Sequence, residues 1–167
     1  QKADQLPGYR LIENPEHRAA IAKVWGIEAS SLPRKGKSAF ELLDACGPEG
    51  GIRSLFVMGS NVAVASPDMS RIESRLASLD HLTVCDAFPN ETTAHAHVVL
   101  PVTQWAEEEG TMTNLEGRVI RRRRVARPPS GVRGDIDVIR ELADRLGCGD
   151  KFAFNSPRQV FDEFRRA

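Results

Sequence analysis

Two apolar runs in this chain end in short groups able to bind a ligand, Gly59-Ser60-Asn61 and Cys85-Asp86, and a third ends at Pro101 before Gln104 and Trp105. A glycine at a strand end lets a ligand approach the backbone closely. Asn61 both donates and accepts hydrogen bonds, and Asp86 accepts two, from a hydroxyl pair or from a purine edge. If the three runs lie side by side as parallel strands, their ends share one rim, where open α/β sheets bind ligands. That rim has the chemistry of a nucleotide seat. It lacks a GxGxxG string and a Walker A loop, so an ordinary dinucleotide fold or P-loop is not supported. Taken singly, Gly59 and Asn61 are more simply turn formers and Asp86 the cap of the next turn.

Asp135 reads as the N-cap of a helix, and capping alone accounts for it, although a ligand could share its carboxylate. Glu107, Glu108 and Glu109 cannot all face one point from regular structure, so a solvated edge is assigned to at least one. His95 and His97 point apart, and no Cys/His spacing makes them metal ligands. Cys85 has no base nearby in sequence, and Asp86 beside it disfavours a thiolate. Ser60 is not in a G-x-S-x-G elbow. Arg121 to Arg124 form the strongest charge cluster, with Arg118 and Arg127 nearby. On a strand they alternate in direction, and ion pairs with neighbouring carboxylates are the simpler reading than nucleic-acid binding.

The elements that must position these residues are punctuated clearly. Asn14-Pro15 opens a helix over Glu16 to Trp25 that Gly26 stops, after an irregular stretch over residues 1–13. Ser38 and Glu41 form a capping box. Ile52 to Val57, Leu82 to Cys85 and Val98 to Leu100 read as strands, the last buried on both faces. Ser66-Pro67-Asp68 opens a helix to about Leu79, and a short helix spans Asn90 to His97. Gly110 to Thr113 and Arg118 to Arg123 form a hairpin, an excursion over about 106–125. Helices follow at 135–147, with an apolar face of Ile136, Ile139, Leu142, Ala143 and Leu146, and at 157–165. The whole is one α/β segment over 1–167, three layers with a small parallel sheet flanked by helices, plus the hairpin.

With 23 Lys+Arg and 23 Asp+Glu, no net field recruits nucleic acid or an anionic membrane. Cys46, Cys85 and Cys148 are odd in number and far apart, which argues for a reducing, cytoplasmic setting. No apolar stretch approaches the length of a membrane span.

Three strings, GSN followed by Val62 and Ala63, LDHLTVCDAFPNETTAHAHVVLPVTQWAEEEGTMTNLEGRVIRRRR and GVRGDIDVIRELADRLG, together resemble the molybdopterin oxidoreductases. Within them, the opening ADQLPGYR and the run TNLEGRVIRRRR are most similar to the catalytic subunits of bacterial assimilatory nitrate reductases. Val62 stands where the family often has Pro. Glu108 stands where periplasmic relatives carry Lys.

The resemblance implies a molybdenum cofactor carried on two molybdopterin guanine dinucleotides. It assigns Gly59, Ser60, Asn61, Cys85, Asp86 and Asp135 to one guanine dinucleotide, with no catalytic residue and no metal ligand in this chain. It implies nitrate as substrate, a 4Fe-4S cluster outside this segment, an electron-donor protein or domain, and the rest of a catalytic subunit as partner. Formate dehydrogenase is the nearby alternative, and a stand-alone nucleotide-binding module the more distant one. The chain opens without Met and lacks the family's cysteine group, so it reads as an internal segment inactive by itself.

Overall fold

The computed structural model describes residues 5–167; Gln1 to Asp4, the start of the stretch read as irregular, lie outside the described residues. Strands β1 (Gln5–Leu6) and β2 (Arg10–Leu11) pair antiparallel around a turn at Pro7–Tyr9, so that stretch carries two short strands. In helix α1 (Pro15–Trp25), Asn14 Oδ1 accepts from the amides of Glu16 at 2.9 Å and His17 at 3.2 Å. Gly26 ends the helix at φ 62°, a left-handed conformation that glycine adopts without steric cost. The capping box at Ser38 and Glu41 opens α2 (Ala39–Asp44).

The alternation of strand and helix then follows: β3 (Ser54–Met58), α3 (Val62–Ala65), α4 (Met69–Ala77), β4 (His81–Asp86) and β5 (Val98–Pro101). The three strands form a parallel sheet in the order β3-β4-β5. Register sets Met58, Cys85 and Leu100 in one row, and Asp86 beside Pro101. Three local expectations need correction. Val62–Ala65 is an extra turn of helix, Asp68 rather than Ser66 caps α4, and the helix expected over Asn90 to His97 is one 3-10 turn at Thr93–His95.

The pleat sends alternate residues to opposite faces. Leu82 and Val84, with Val57, face the helices, where Leu43, Ala63, Ile72 and Leu76 complete the main core. Each larger side chain buried there contributes about 1.5–3 kcal/mol. On the other face Cys85 meets Val102 and Val138 of helix α5 (Asp135–Arg145). Helices on both faces of a small parallel sheet make the three-layer α/β arrangement that the sequence predicts.

The burial expected of the third strand is not found: Val98 and Val99 are 40% and 45% exposed. β5 is an edge strand, and α5 covers only the carboxyl end of its face. The apolar stripe of α5 is also reassigned. Val138 and Ala143 point inward, whereas Ile139, Leu142 and Leu146 are exposed. The hairpin is present as β6 (Gly110–Thr113) and β7 (Val119–Arg122), followed by α5 and then α6 (Pro157–Phe164), which Ser156 caps. Among the described residues no helix is long and apolar enough to cross a membrane.

Candidate functional site

The carboxyl ends of β3, β4 and β5 lie side by side, and the loops leaving them are tied to one another. The Gly59 amide donates to the Cys85 carbonyl at 2.8 Å, and the Val102 amide to the Asp86 carbonyl at 3.2 Å. Gly59 sits at φ 57° with open space where a side chain would project. A Gly59→Ala change therefore meets no steric neighbour and costs about 1 kcal/mol in backbone strain alone. Denaturant titration of that variant checks the figure; a loss several times larger would mean that this turn packs against another part of the chain.

Asn61 and Asp86 are used by the fold itself. Asn61 Oδ1 accepts from the Thr92 hydroxyl at 2.8 Å and the Thr92 amide at 3.3 Å, and its Nδ2 donates to Glu91 at 2.6 Å. Thr92, fully buried, in turn accepts from the Ala63 amide at 3.1 Å. Asn61 thus clasps the turn after β3 to the loop after β4. Asp86 caps that loop, accepting from the Phe88 amide at 3.3 Å and from Asn90 Nδ2 at 2.9 Å. Each of its oxygens retains one lone pair. Ser60 is partly exposed beside them.

Asp135 behaves differently. Gly134 occupies the N-cap position and Asp135 the first helical one, with no side-chain cap bond. The expectation that Asp135 caps the helix is therefore corrected: its carboxylate lies inside the first turn, where it cannot bond the free amides from outside. Its Oδ1 is buried and has no hydrogen-bond partner. Burial pushes its carboxyl above the usual carboxylate range, and the charges of Glu108 and Asp86 push it the same way. Asp86, Asp135 and Cys85 thus form one neighbourhood. Cys85 is fully buried, and its thiol is raised first by that burial and then by Asp135. The sequence points to Asp86 as the disfavouring charge; with either carboxylate the thiol is inert, and Cys85 offers a ligand only its backbone.

The residue that sequence reasoning missed is Glu108. Its Oε1 accepts from the Thr103 hydroxyl and, at 3.3 Å, from the Asp135 amide, while Arg122 Nη2 lies 3.4 Å from Oε2. The one available signal was the hairpin, whose register pairs Gly110 with Arg122 and brings that arginine beside the glutamates. Glu107 accepts from the Gln104 amide at 3.1 Å, and Arg121 approaches Glu109 at 3.8 Å, so the arginine run does form ion pairs with carboxylates. A cavity of about 290 Å³ lies against Thr103, Glu108, Gly134, Ile136 and Asp137. None of the six expected site residues lines it.

His97 Nδ1 accepts from the Leu82 amide at 3.0 Å and its ring stacks on His81, which gives it a structural task. Among the described residues no group of three or more His, Cys, Asp or Glu is placed to hold a metal ion. The three cysteines are unpaired.

Known proteins resemble this chain over most of its length. The family model for molybdopterin oxidoreductases matches residues 27–145. The assimilatory nitrate reductase catalytic subunit of Bacillus subtilis is 47% identical over the whole chain. A formate dehydrogenase alpha subunit of Methanocaldococcus jannaschii is 38% identical over 96% of it. The chain spans only 23% of the length of each of these relatives. Among solved structures, acetylene hydratase from Pelobacter acetylenicus superposes with a TM-score of 0.68 at 21% identity, covering 86% of this chain and 21% of that one, which shows the shared fold. A parallel sheet whose strand ends share a rim, matched by the family model across that sheet and into α5, places this chain in the molybdopterin oxidoreductase family.

Proposed function

We propose that this chain is the part of a molybdenum oxidoreductase that holds one guanine dinucleotide of its molybdopterin cofactor, and that the parent enzyme reduces nitrate to nitrite. The observation that carries the reading is the buried, unpartnered Oδ1 of Asp135. A buried acceptor left without a donor costs about 1–3 kcal/mol, so such an atom calls for an external partner. A carboxylate facing a guanine edge accepts from its N1 and N2 hydrogens as a charge-assisted pair. The left-handed turn at Gly59 lets the ligand backbone come close, and Ser60 and the free lone pairs of Asp86 offer contacts to the ribose or a neighbouring polar edge. Asn61 and Cys85 hold the shape of the rim.

When bound, the molybdenum–pterin group supplies the electron and oxygen-atom transfer, while these residues bind and orient it. Identity of 47% to a nitrate reductase subunit against 38% to a formate dehydrogenase supports nitrate over formate as the parent's substrate. A span of 23% of those relatives supports the rest of a catalytic subunit as the partner that completes the seat. The parent's remaining requirements, an iron–sulfur cluster and an electron donor, belong outside this segment. Three free thiols support a reducing, cytoplasmic setting.

The experiment is a titration of the chain with GMP and with AMP. The expected result is weak GMP binding in the millimolar range, about −4 kcal/mol, and preference over AMP by about tenfold. Equal affinity for the two would overturn the guanine assignment. Submicromolar binding of GMP would instead identify a self-sufficient nucleotide module.

A further inference from the structure

Glu108 has no part in that reading, yet three separate segments converge on it. The Thr103 hydroxyl donates from the loop that leaves β5, Arg122 comes from β7, and the Asp135 amide belongs to the first turn of α5. Both members of the Glu108–Arg122 pair are mostly withdrawn from water, their side chains 23% and 22% exposed. Arg122 is itself anchored, its Nη1 donating to the Trp105 carbonyl. An anion is favourable at a helix N-terminus, and here it comes from outside the helix. Because Glu108 takes the Asp135 amide, the Asp135 carboxylate has no share in bonding it.

The charged groups around Asp135 are accounted for. Glu108 and Asp86 face it as anions, and Cys85 beside it is a buried thiol. Arg133, just before α5, pairs with Glu141, and Asp137 pairs with Arg140 at 3.3 Å. No ion pair to Asp135 occurs among the described residues. The unpartnered Asp135 oxygen is therefore an acceptor for N–H donors.

We propose that Glu108 is the positioning residue of the Asp135 site: it locks the first turn of α5 against the strand ends and leaves the Asp135 carboxylate free for a ligand edge carrying paired N–H donors. This rests on the reading of the rim as a guanine seat. Glu108 works on Asp135 in two ways. Its hydrogen bonds hold the backbone of the turn, and its charge, after burial, helps push the Asp135 carboxyl above the usual carboxylate range.

The test follows the Asp135 carboxyl of the chain by ¹³C NMR as a function of pH, without any ligand. In Glu108→Gln, which keeps the shape and an acceptor but removes the charge, the Asp135 titration midpoint moves down. In Glu108→Ala, hydrogen exchange of the Asp135 amide accelerates by about tenfold. Thr103→Val removes a single donor and gives a smaller acceleration in a protein whose fold it barely touches. The GMP-over-AMP preference falls in Glu108→Ala, which loses the hold on the turn. An unchanged Asp135 midpoint in Glu108→Gln, or unchanged amide exchange in Glu108→Ala and Thr103→Val, overturns the proposal. If midpoint and exchange move as expected while neither the parent chain nor any variant prefers GMP, the positioning role stands and the guanine reading falls.

Discussion

Arg18→Met lowers the stability of the folded chain by about 3–5 kcal/mol, a large share of the roughly 5–15 kcal/mol that holds a domain of this size together. Arg18 is 6% exposed on α1, and among the described residues its guanidinium bonds to backbone carbonyls and to no carboxylate. Its Nη1 donates to the carbonyls of Ile12 at 3.0 Å and Pro33 at 2.8 Å. Its Nη2 donates to those of Ala29 at 2.9 Å and Leu32 at 2.5 Å. A planar guanidinium supplies donors in a fixed fork, which suits four carbonyls converging from two loops. Methionine fills much of the same space but satisfies none of them, and Ile12 also belongs to the small core with Leu6 and Ile21. Arg18→Lys recovers only part of the loss, because one ammonium cannot span the fork. Urea unfolding monitored by circular dichroism reads both variants. A loss below about 1 kcal/mol for Arg18→Met would show that water replaces the guanidinium at those carbonyls.

Asp135→Asn is expected to weaken retention of the guanine nucleotide by about 1.5–3 kcal/mol, or roughly 10- to 150-fold, without weakening the fold. Asparagine presents one acceptor and turns an NH₂ group toward ligand donors, so one hydrogen bond is lost and a repulsive contact is created. In the empty protein the same change removes a half-buried carboxylate with an unpartnered oxygen, and stability holds or rises. Function and stability move in opposite directions, which separates a binding role from a structural one.

The pH dependence has a definite sign. The native state holds the Asp135 proton more tightly than the unfolded chain does, because burial, Glu108 and Asp86 all raise its pKa. This group's contribution to folding is therefore complete below its unfolded value and is lost as pH rises through the raised one. Nucleotide binding needs the carboxylate and strengthens over the same interval. Guanine nucleotide released from the purified full-length protein, with thermal unfolding of the variant, checks both halves. Normal cofactor content in Asp135→Asn would sink the assignment.

Much of the fold is legible locally. Caps at Asn14, Ser38 and Ser156 act on amides two or three residues away, so neighbouring residue types suffice to place those helix starts. The hairpin and the strand ends are marked by the same kind of punctuation. The failures share a cause. Periodicity puts the stripe Ile139, Leu142 and Leu146 inside because it identifies an apolar face without showing what covers it. An apolar run likewise suggests a strand Val98 to Leu100 covered on both faces, yet it stands at the edge of this sheet. Residue type makes Asp135 a cap, and a shift of one residue places it inside the turn.

By itself the sequence determined the alternation of strands and helices from β3 onward, the polar groups at the ends of the parallel strands and the likeness to molybdenum enzymes, since each is written in residues that are neighbours or share a motif. Only the tertiary structure decided which polar groups the fold consumes and which it leaves over. Asn61 is taken by a threonine 31 positions away, and the amide of Asp135 by a glutamate 27 positions away. Hydrogen-bond satisfaction is settled among partners distant in the chain. One oxygen of Asp135 therefore emerges as the unmet acceptor only when every other claim on its surroundings has been assigned.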